Sequence, residues 1–163
     1  MAVEIREAAP EDYDGLIEVL AEIDAYHAEH LPHVFRPTCG PARSRAYVLS
    51  LLEDPDSVLL VAEEGGRVVG VADVRAHTTP DIPVLVPRRY AMVDAIVVRR
   101  THQGRGIGRE LMRCAESWAR ASGLEEVRLN VWEFNQGAIA FYEKLGYTTT
   151  LRRMARCLDD ADG

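Results

Sequence analysis

The chain has 163 residues, 47% of them hydrophobic and 28% charged, values that suit one globular domain with a core of its own. A formal net charge of -7 argues against a general nucleic-acid binder, which would present a broad basic face. No apolar run approaches the ~18 residues of a membrane helix.

Taken in chain order, "VEIREA" at 3–8 alternates as a first strand does. Pro10, Glu11 and Asp12 then make a helix start, with acids at the positive end of the dipole. Leu16, Val19, Leu20, Ile23 and Tyr26 give that helix one apolar face. The three prolines and glycine of "HLPHVFRPTCGP", 30–41, predict a loop, and Tyr47, Val48, Leu51 and Leu52 mark a second helix. "SVLLVAEEGGRVVGVADVRA", 57–76, reads as a hairpin turning at Gly65 and Gly66. "YAMVDAIVV", 90–98, is apolar enough for a central strand. The next helix shows Ile107, Leu111, Cys114, Ala115 and Trp118 on one face and stops at Gly123. "EEVRLNVW" predicts a further strand, and "NQGAIAFYEKL" a short helix that Asn135 can cap. "YTTTLRRMARCL" is expected to close the chain as one long strand or a tight pair. The order is β-α-α-β-β-β-α-β-α-β(β), an α/β mixed sheet, and nothing resembling a linker divides residues 1–163.

The three cysteines, Cys39, Cys114 and Cys157, are odd in number and lack metal-like spacing, so unpaired thiols of a cytoplasmic protein are expected. The first twelve residues lack the basic-then-apolar pattern of a secretory signal.

One stretch carries chemistry. In "VVRRTHQGRGIGRELM", 97–112, Gly104, Gly106 and Gly108 alternate among arginines. A dinucleotide fingerprint fails, because Arg109 occupies the place of its third glycine, and no G-K-S/T exists for a P-loop. What remains is Q-x-x-G-x-G, Gln103 to Gly108, after a strand and opening a helix. First-turn amides there lack intrahelical partners and can receive a pyrophosphate along the dipole. The bland alternative is a glycine-rich turn that binds nothing. Arg99, Arg100, Arg105, Arg109 and Arg113 form a basic island in an acidic chain, suited to a small anion rather than a long polyanion.

Together with "DAIVV" before it and "LNVWEFNQGAIAFYEKLGY" after it, this stretch resembles the GNAT family of N-acetyltransferases, most strongly over residues 90–147. The resemblance implies a single-domain fold whose sheet splays between strands 4 and 5, and acetyl-CoA as co-substrate. Carried over by position, Gln103, Gly104, Arg105, Gly106, Ile107, Gly108 and Arg109 would hold the CoA pyrophosphate. The backbone of Ile96, Val97 and Val98 would pair with the pantetheine arm, and Asn135 would contact CoA or serve only as the helix cap. Tyr142 would face the thioester sulfur, the alternative being a core aromatic. Asp94 would be the base for an amine acceptor, or else a structural carboxylate at a bulge. Asn130 stands where relatives acting on a ribosomal N-terminus carry a catalytic glutamate, which argues against that subclass.

Acceptor-site candidates by location are Tyr26, His27, Arg75 and Tyr90. His27, His30 and His33 run into prolines, poor geometry for a metal, so none is expected. The expected activity is acetyl transfer from acetyl-CoA to a small-molecule or peptide amine, without nucleic acid or membrane, with a homodimer open. The rival is a non-catalytic acyl-CoA sensor of the same fold.

Overall fold

The computed structural model describes residues 2–158. Five strands form one sheet in the order β1-β2-β3-β4-β5: β1 Glu4–Glu7, β2 Ser57–Glu64, β3 Arg67–Thr78, β4 Arg89–Val98 and β5 Glu126–Leu129. Neighbours are antiparallel, except that β4 and β5 run parallel. The helices are α1 Tyr13–His30, α2 Arg45–Glu53, α3 Ile107–Ala121 and α4 Gln136–Lys144. This is the expected mixed α/β architecture. The chain divides into two compact units, one ending at Asn130 and one beginning at Val131.

Local chemistry explains the element ends. Asp12 accepts from the Ala9 amide at 2.8 Å and pairs with Arg6 at 2.7 Å, so the entry to α1 is tied to β1. Ser44 Oγ accepts from the Tyr47 amide and caps α2. Between β2 and β3, Gly65 and Gly66 have φ of 58° and 78°, the pair of positive values that a two-residue hairpin turn demands.

In the first unit, Leu16, Val19 and Leu20 of α1 and Val48 and Leu51 of α2 pack with Leu59, Val61, Val68, Val71 and Val97 of the sheet. At Gly70 of β3, an added Cβ would lie 3.1 Å from Leu111 and 3.3 Å from Ile107. A side chain at 70 would therefore push α3 away from the strands. The buried face of α3 is Ile107, Leu111, Met112, Ala115 and Ala119. It is rotated from the expected one, since Cys114 and Trp118 are only half-buried; the small Ala119 lets the helix lie close where a tryptophan would hold it off.

One expectation is corrected. Residues 148–158 carry no strand, and Leu151, Met154 and Leu158 are exposed. A strand needs a hydrogen-bonding neighbour, and the described part of the unit from Val131 contains only α4 as a regular element. Alternating apolar residues do not supply that neighbour.

Candidate active site

The site's scaffold is the second half of β4. The β4–β5 ladder runs from Tyr90 opposite Glu126 to Val93 opposite Leu129 and stops there. β4 continues to Val98 with no β5 residue beside it. The β3–β4 register shifts at the same place: Asp73 faces Ala95 and Val74 faces Val93, which leaves Asp94 as one extra residue. Asp94 is thus a β-bulge, and bulges bend and twist a strand away from its neighbour.

Alternation sorts the residues beyond the bulge. The Arg99 amide donates to Val69 O at 2.8 Å, so by the antiparallel pattern Val97 also turns its backbone to β3 while Ile96 and Val98 turn theirs to the open edge. The Val98 carbonyl there accepts from Gln103 Nε2 at 3.1 Å. Of the three backbone positions expected to form a slot, Ile96 and Val98 face it and Val97 does not.

The glycine turn follows. After a 3-10 turn at Arg100–His102, Gly104 and Gly106 take φ of 76° and 83°. A side chain at either would meet nothing within 4 Å, so what demands glycine is the left-handed backbone and not crowding. Gly106 caps α3, and the first bond of the helix runs from the Glu110 amide to the Gly106 carbonyl. The amides of Ile107, Gly108 and Arg109 precede it and lack intrahelical acceptors, which makes a place for an anion.

The basic island is mostly satisfied by carboxylates. Arg99 pairs with Glu18 at 2.7 Å and Glu22 at 3.7 Å, and Arg113 pairs with Glu110 at 2.9 Å. Glu64 at the end of β2 binds Arg105, and lies 3.1 Å from His102 Nε2; the Arg105 guanidinium holds the Glu64 carboxyl down to about 2. Arg109 has no ion pair among the described residues. What the turn offers an anion is therefore main-chain amides more than free arginines.

A second cluster surrounds the bulge. Arg75 Nη2 donates to Asp73 Oδ2 at 2.8 Å and to Tyr47 Oη at 2.7 Å. Its Nε lies 3.3 Å from Asp73 Oδ1 and 3.1 Å from Asp94 Oδ2. The Asp94 side chain is 39% exposed and that of Asp73 13%. Burial and the neighbouring Asp73 push the Asp94 carboxyl upward, against the pull of Arg75 and His77. Asp94 is thereby a better proton acceptor than a solvated aspartate. The sequence marked Tyr47 only as a residue of the second helix and gave Asp73 no role, although Asp73 is the one charged residue in the apolar run Val68–Val74, a signal that could have found it.

The other acceptor-site candidates are drawn into ring contacts. Tyr26 lies 4.3 Å from the His30 ring and His27 stacks on Phe35 at 5.0 Å; burial pulls the His27 imidazole below its ordinary value. Tyr90 stacks on His77 at 5.6 Å, with the Arg128 guanidinium 3.8 Å from its ring centre. Among the described residues no three His, Cys, Asp or Glu side chains gather as a metal site, and no helix is long and apolar enough to cross a membrane.

In the unit from Val131, Asn135 Oδ1 accepts from the Ala138 amide at 3.1 Å and so caps α4. Its Nδ2 is not used by that bond. Tyr142, on the last turn of α4, packs edge-on against Phe141 at 5.2 Å, with Tyr147 at 6.0 Å. Burial pushes its phenol up to about 12.

A model of the Acetyltransferase (GNAT) family matches residues 21–147. An IAA acetyltransferase of Azospirillum brasilense is 30% identical over 135 residues, 82% of this chain and 77% of that protein. N-acetyltransferase 8 of Rattus norvegicus is 33% identical over 104 residues, 62% of this chain, and the match spans 44% of that longer protein. Among solved structures, a mutant of the BH1408 protein from Bacillus halodurans superposes with a TM-score of 0.90 at 25% identity, covering 95% of this chain and 99% of that one. An aminoglycoside N-acetyltransferase solved with CoA superposes with a TM-score of 0.73 at 15% identity, over 94% of this chain and 100% of that one. At that identity the likeness is one of fold.

Proposed function

Because this chain belongs to the acetyltransferase (GNAT) family, we propose that residues 1–163 work as one domain that moves an acetyl group from acetyl-CoA to a primary amine by direct attack in a ternary complex. The observation that carries the reading is the open edge of β4 beyond the Asp94 bulge, leading straight into the glycine turn. Acetyl-CoA supplies an activated acetyl group as a thioester. The amides of residues 104–109 would take its pyrophosphate, with Gln103 holding the turn against Val98 and the Arg109 guanidinium close by. Ile96 and Val98 would take the pantetheine arm as an added strand takes its neighbour. The Ile96 amide would polarise the thioester carbonyl, and Asn135 would offer its Nδ2 to CoA while its oxygen caps α4.

The acceptor side needs a base. A free alkylammonium near ~10.4 is neutral in only about one molecule in 2,500 at pH 7. Asp94, pushed upward by burial and by Asp73, would take that proton, directly or through water. Tyr142 would serve the leaving sulfur. Its phenol near 12 makes full transfer to a thiolate near ~8.5 uphill by roughly 5 kcal/mol. A hydrogen bond from the phenol to the departing thiolate, which then takes its proton from solvent, fits those values better than proton donation by the phenol.

The pairing of Arg99, Arg105 and Arg113 with carboxylates supports a small anionic ligand rather than nucleic acid. Cys39, Cys114 and Cys157, all free, fit a reducing cytoplasm. The test is CoA release from acetyl-CoA across a panel of amines by wild type, Asp94→Asn and Tyr142→Phe, with acetyl-CoA binding measured by calorimetry. Turnover should fall about 10²–10⁴-fold in Asp94→Asn and about tenfold or more in Tyr142→Phe, with acetyl-CoA affinity held within about twofold in both. Acetyl-CoA binding without turnover on any amine would instead favour an acyl-CoA sensor.

A further inference from the structure

Resting on the reading of Asp94 as the base, we infer that Asp73, Arg75 and Tyr47 form a positioning assembly that holds the Asp94 carboxylate at the bulge and sets how readily it takes a proton. In register, Asp73 faces Ala95 and Arg75 faces Met92, so the two flank the bulge from β3, one on each side. Two residues apart on one strand, they share a face. A bulged residue faces no partner of its own across the ladder, and its side chain needs another anchor. Arg75 Nε supplies it, at 3.1 Å from Asp94 Oδ2.

The anchor is shared unequally. Arg75 brings one positive charge to two carboxylates. Asp73 takes both Nε and Nη2, at 3.3 and 2.8 Å, while Tyr47 of α2 orients the same Nη2 at 2.7 Å. Asp94 has Nε alone. The more buried Asp73 is well compensated, and the more exposed Asp94 is held in place but left short of positive charge. The other charged or titratable group acting on it is His77 of β3, which favours the charged form.

The assembly makes opposite demands of two variants. Asp73→Asn removes a like charge and hands Arg75 wholly to Asp94, so the Asp94 carboxyl should titrate lower. Arg75→Gln removes the compensating charge, so it should titrate higher. A merely structural role for these residues would not move one group in both directions.

The experiment is a carbon-13 NMR pH titration of side-chain carboxyls in the full chain, with Asp94→Asn identifying the resonance. Alongside it, kcat/KM is measured against pH for 1,4-diaminobutane, n-butylamine and a lysine-containing tripeptide. The Asp94 midpoint should fall by about half a unit or more in Asp73→Asn and rise by a similar amount in Arg75→Gln, and the acid limb of kcat/KM should follow in each. Arg75→Lys, which keeps the charge and loses the fork, guards against misfolding and should shift the midpoint less than Arg75→Gln. Tyr47→Phe should lower kcat two- to tenfold with the KM for acetyl-CoA unchanged. Midpoints within about 0.2 units of wild type in both charge variants, or shifts of the same sign, would overturn the inference. Wild-type turnover in Asp94→Asn would sink the base reading instead, and the NMR midpoints would still decide whether the assembly exists.

Discussion

The glycine turn at 103–109 and the bulge at Asp94 lie a few residues apart along one stretch of chain, yet they are made of different materials. The turn presents main-chain amides at the start of α3. Its conformation comes from two glycines with positive φ, and three of the five arginines in and around it, Arg99, Arg105 and Arg113, are spent on carboxylates of α1, β2 and α3. The bulge works through side chains brought from α2, β3 and β4 to one guanidinium. Fixed amides cost nothing to reorganise and keep their dipoles in salt, whereas a shared ion pair responds to every charge near it. Binding of acetyl-CoA should therefore be sensitive to backbone geometry, and proton transfer to local charge.

The largest effect that would break this contrast is expected from Gly106→Val. Space is open around Gly106, but its φ of 83° forces a β-branched residue into a left-handed conformation costing about 1–2 kcal/mol. If the turn binds through its backbone, calorimetry should show acetyl-CoA affinity reduced by more than about thirtyfold. Unchanged affinity would mean that the arginines do the binding after all.

Gly70→Ala sharpens the comparison through the scaffold that both regions share. Gly70 faces Val98 in register, and an added methyl would press on Leu111, Ile107 and Ala62 at 3.1 to 3.3 Å. Overpacking of this kind should lower stability by about 1–3 kcal/mol in urea unfolding. Because two of the pressed side chains, Ile107 and Leu111, belong to the first turns of α3, acetyl-CoA affinity should fall while the Asp94 titration stays put. A shifted Asp94 midpoint would show the two regions to be mechanically coupled.

The smallest effect is expected from Glu64→Gln. It frees Arg105 beside the turn, and its freed positive charge should tighten acetyl-CoA binding by less than about threefold, a gain lost in about 0.5 M salt. A larger or salt-independent change would show that the Glu64 contacts shape the turn itself.

The difference in materials also explains which parts were legible beforehand. Helical spacing of Leu16, Val19 and Leu20, the Gly65–Gly66 turn and the run of glycines after β4 are local signals, because each depends on residues close in sequence. The Asp73–Arg75–Asp94 cluster is not local. It exists because β3 and β4 pair antiparallel with one residue to spare, and no spacing rule within either strand reports a register between them. The paired state of Arg99 and Arg105 was hidden for the same reason, their partners lying 81 and 41 positions away. Residues 148–158 show the reverse failure, a local alternation that found no neighbour.

By itself, then, the sequence determined the element order as far as α4 and the place of the glycine turn between a strand and a helix, since backbone torsion preferences act residue by residue. Only the tertiary structure decided which backbone groups of Ile96, Val97 and Val98 face the open edge of β4, and what charge surrounds Asp94. Those depend on the pairing register and on Coulomb interactions between distant residues, quantities that no single segment carries.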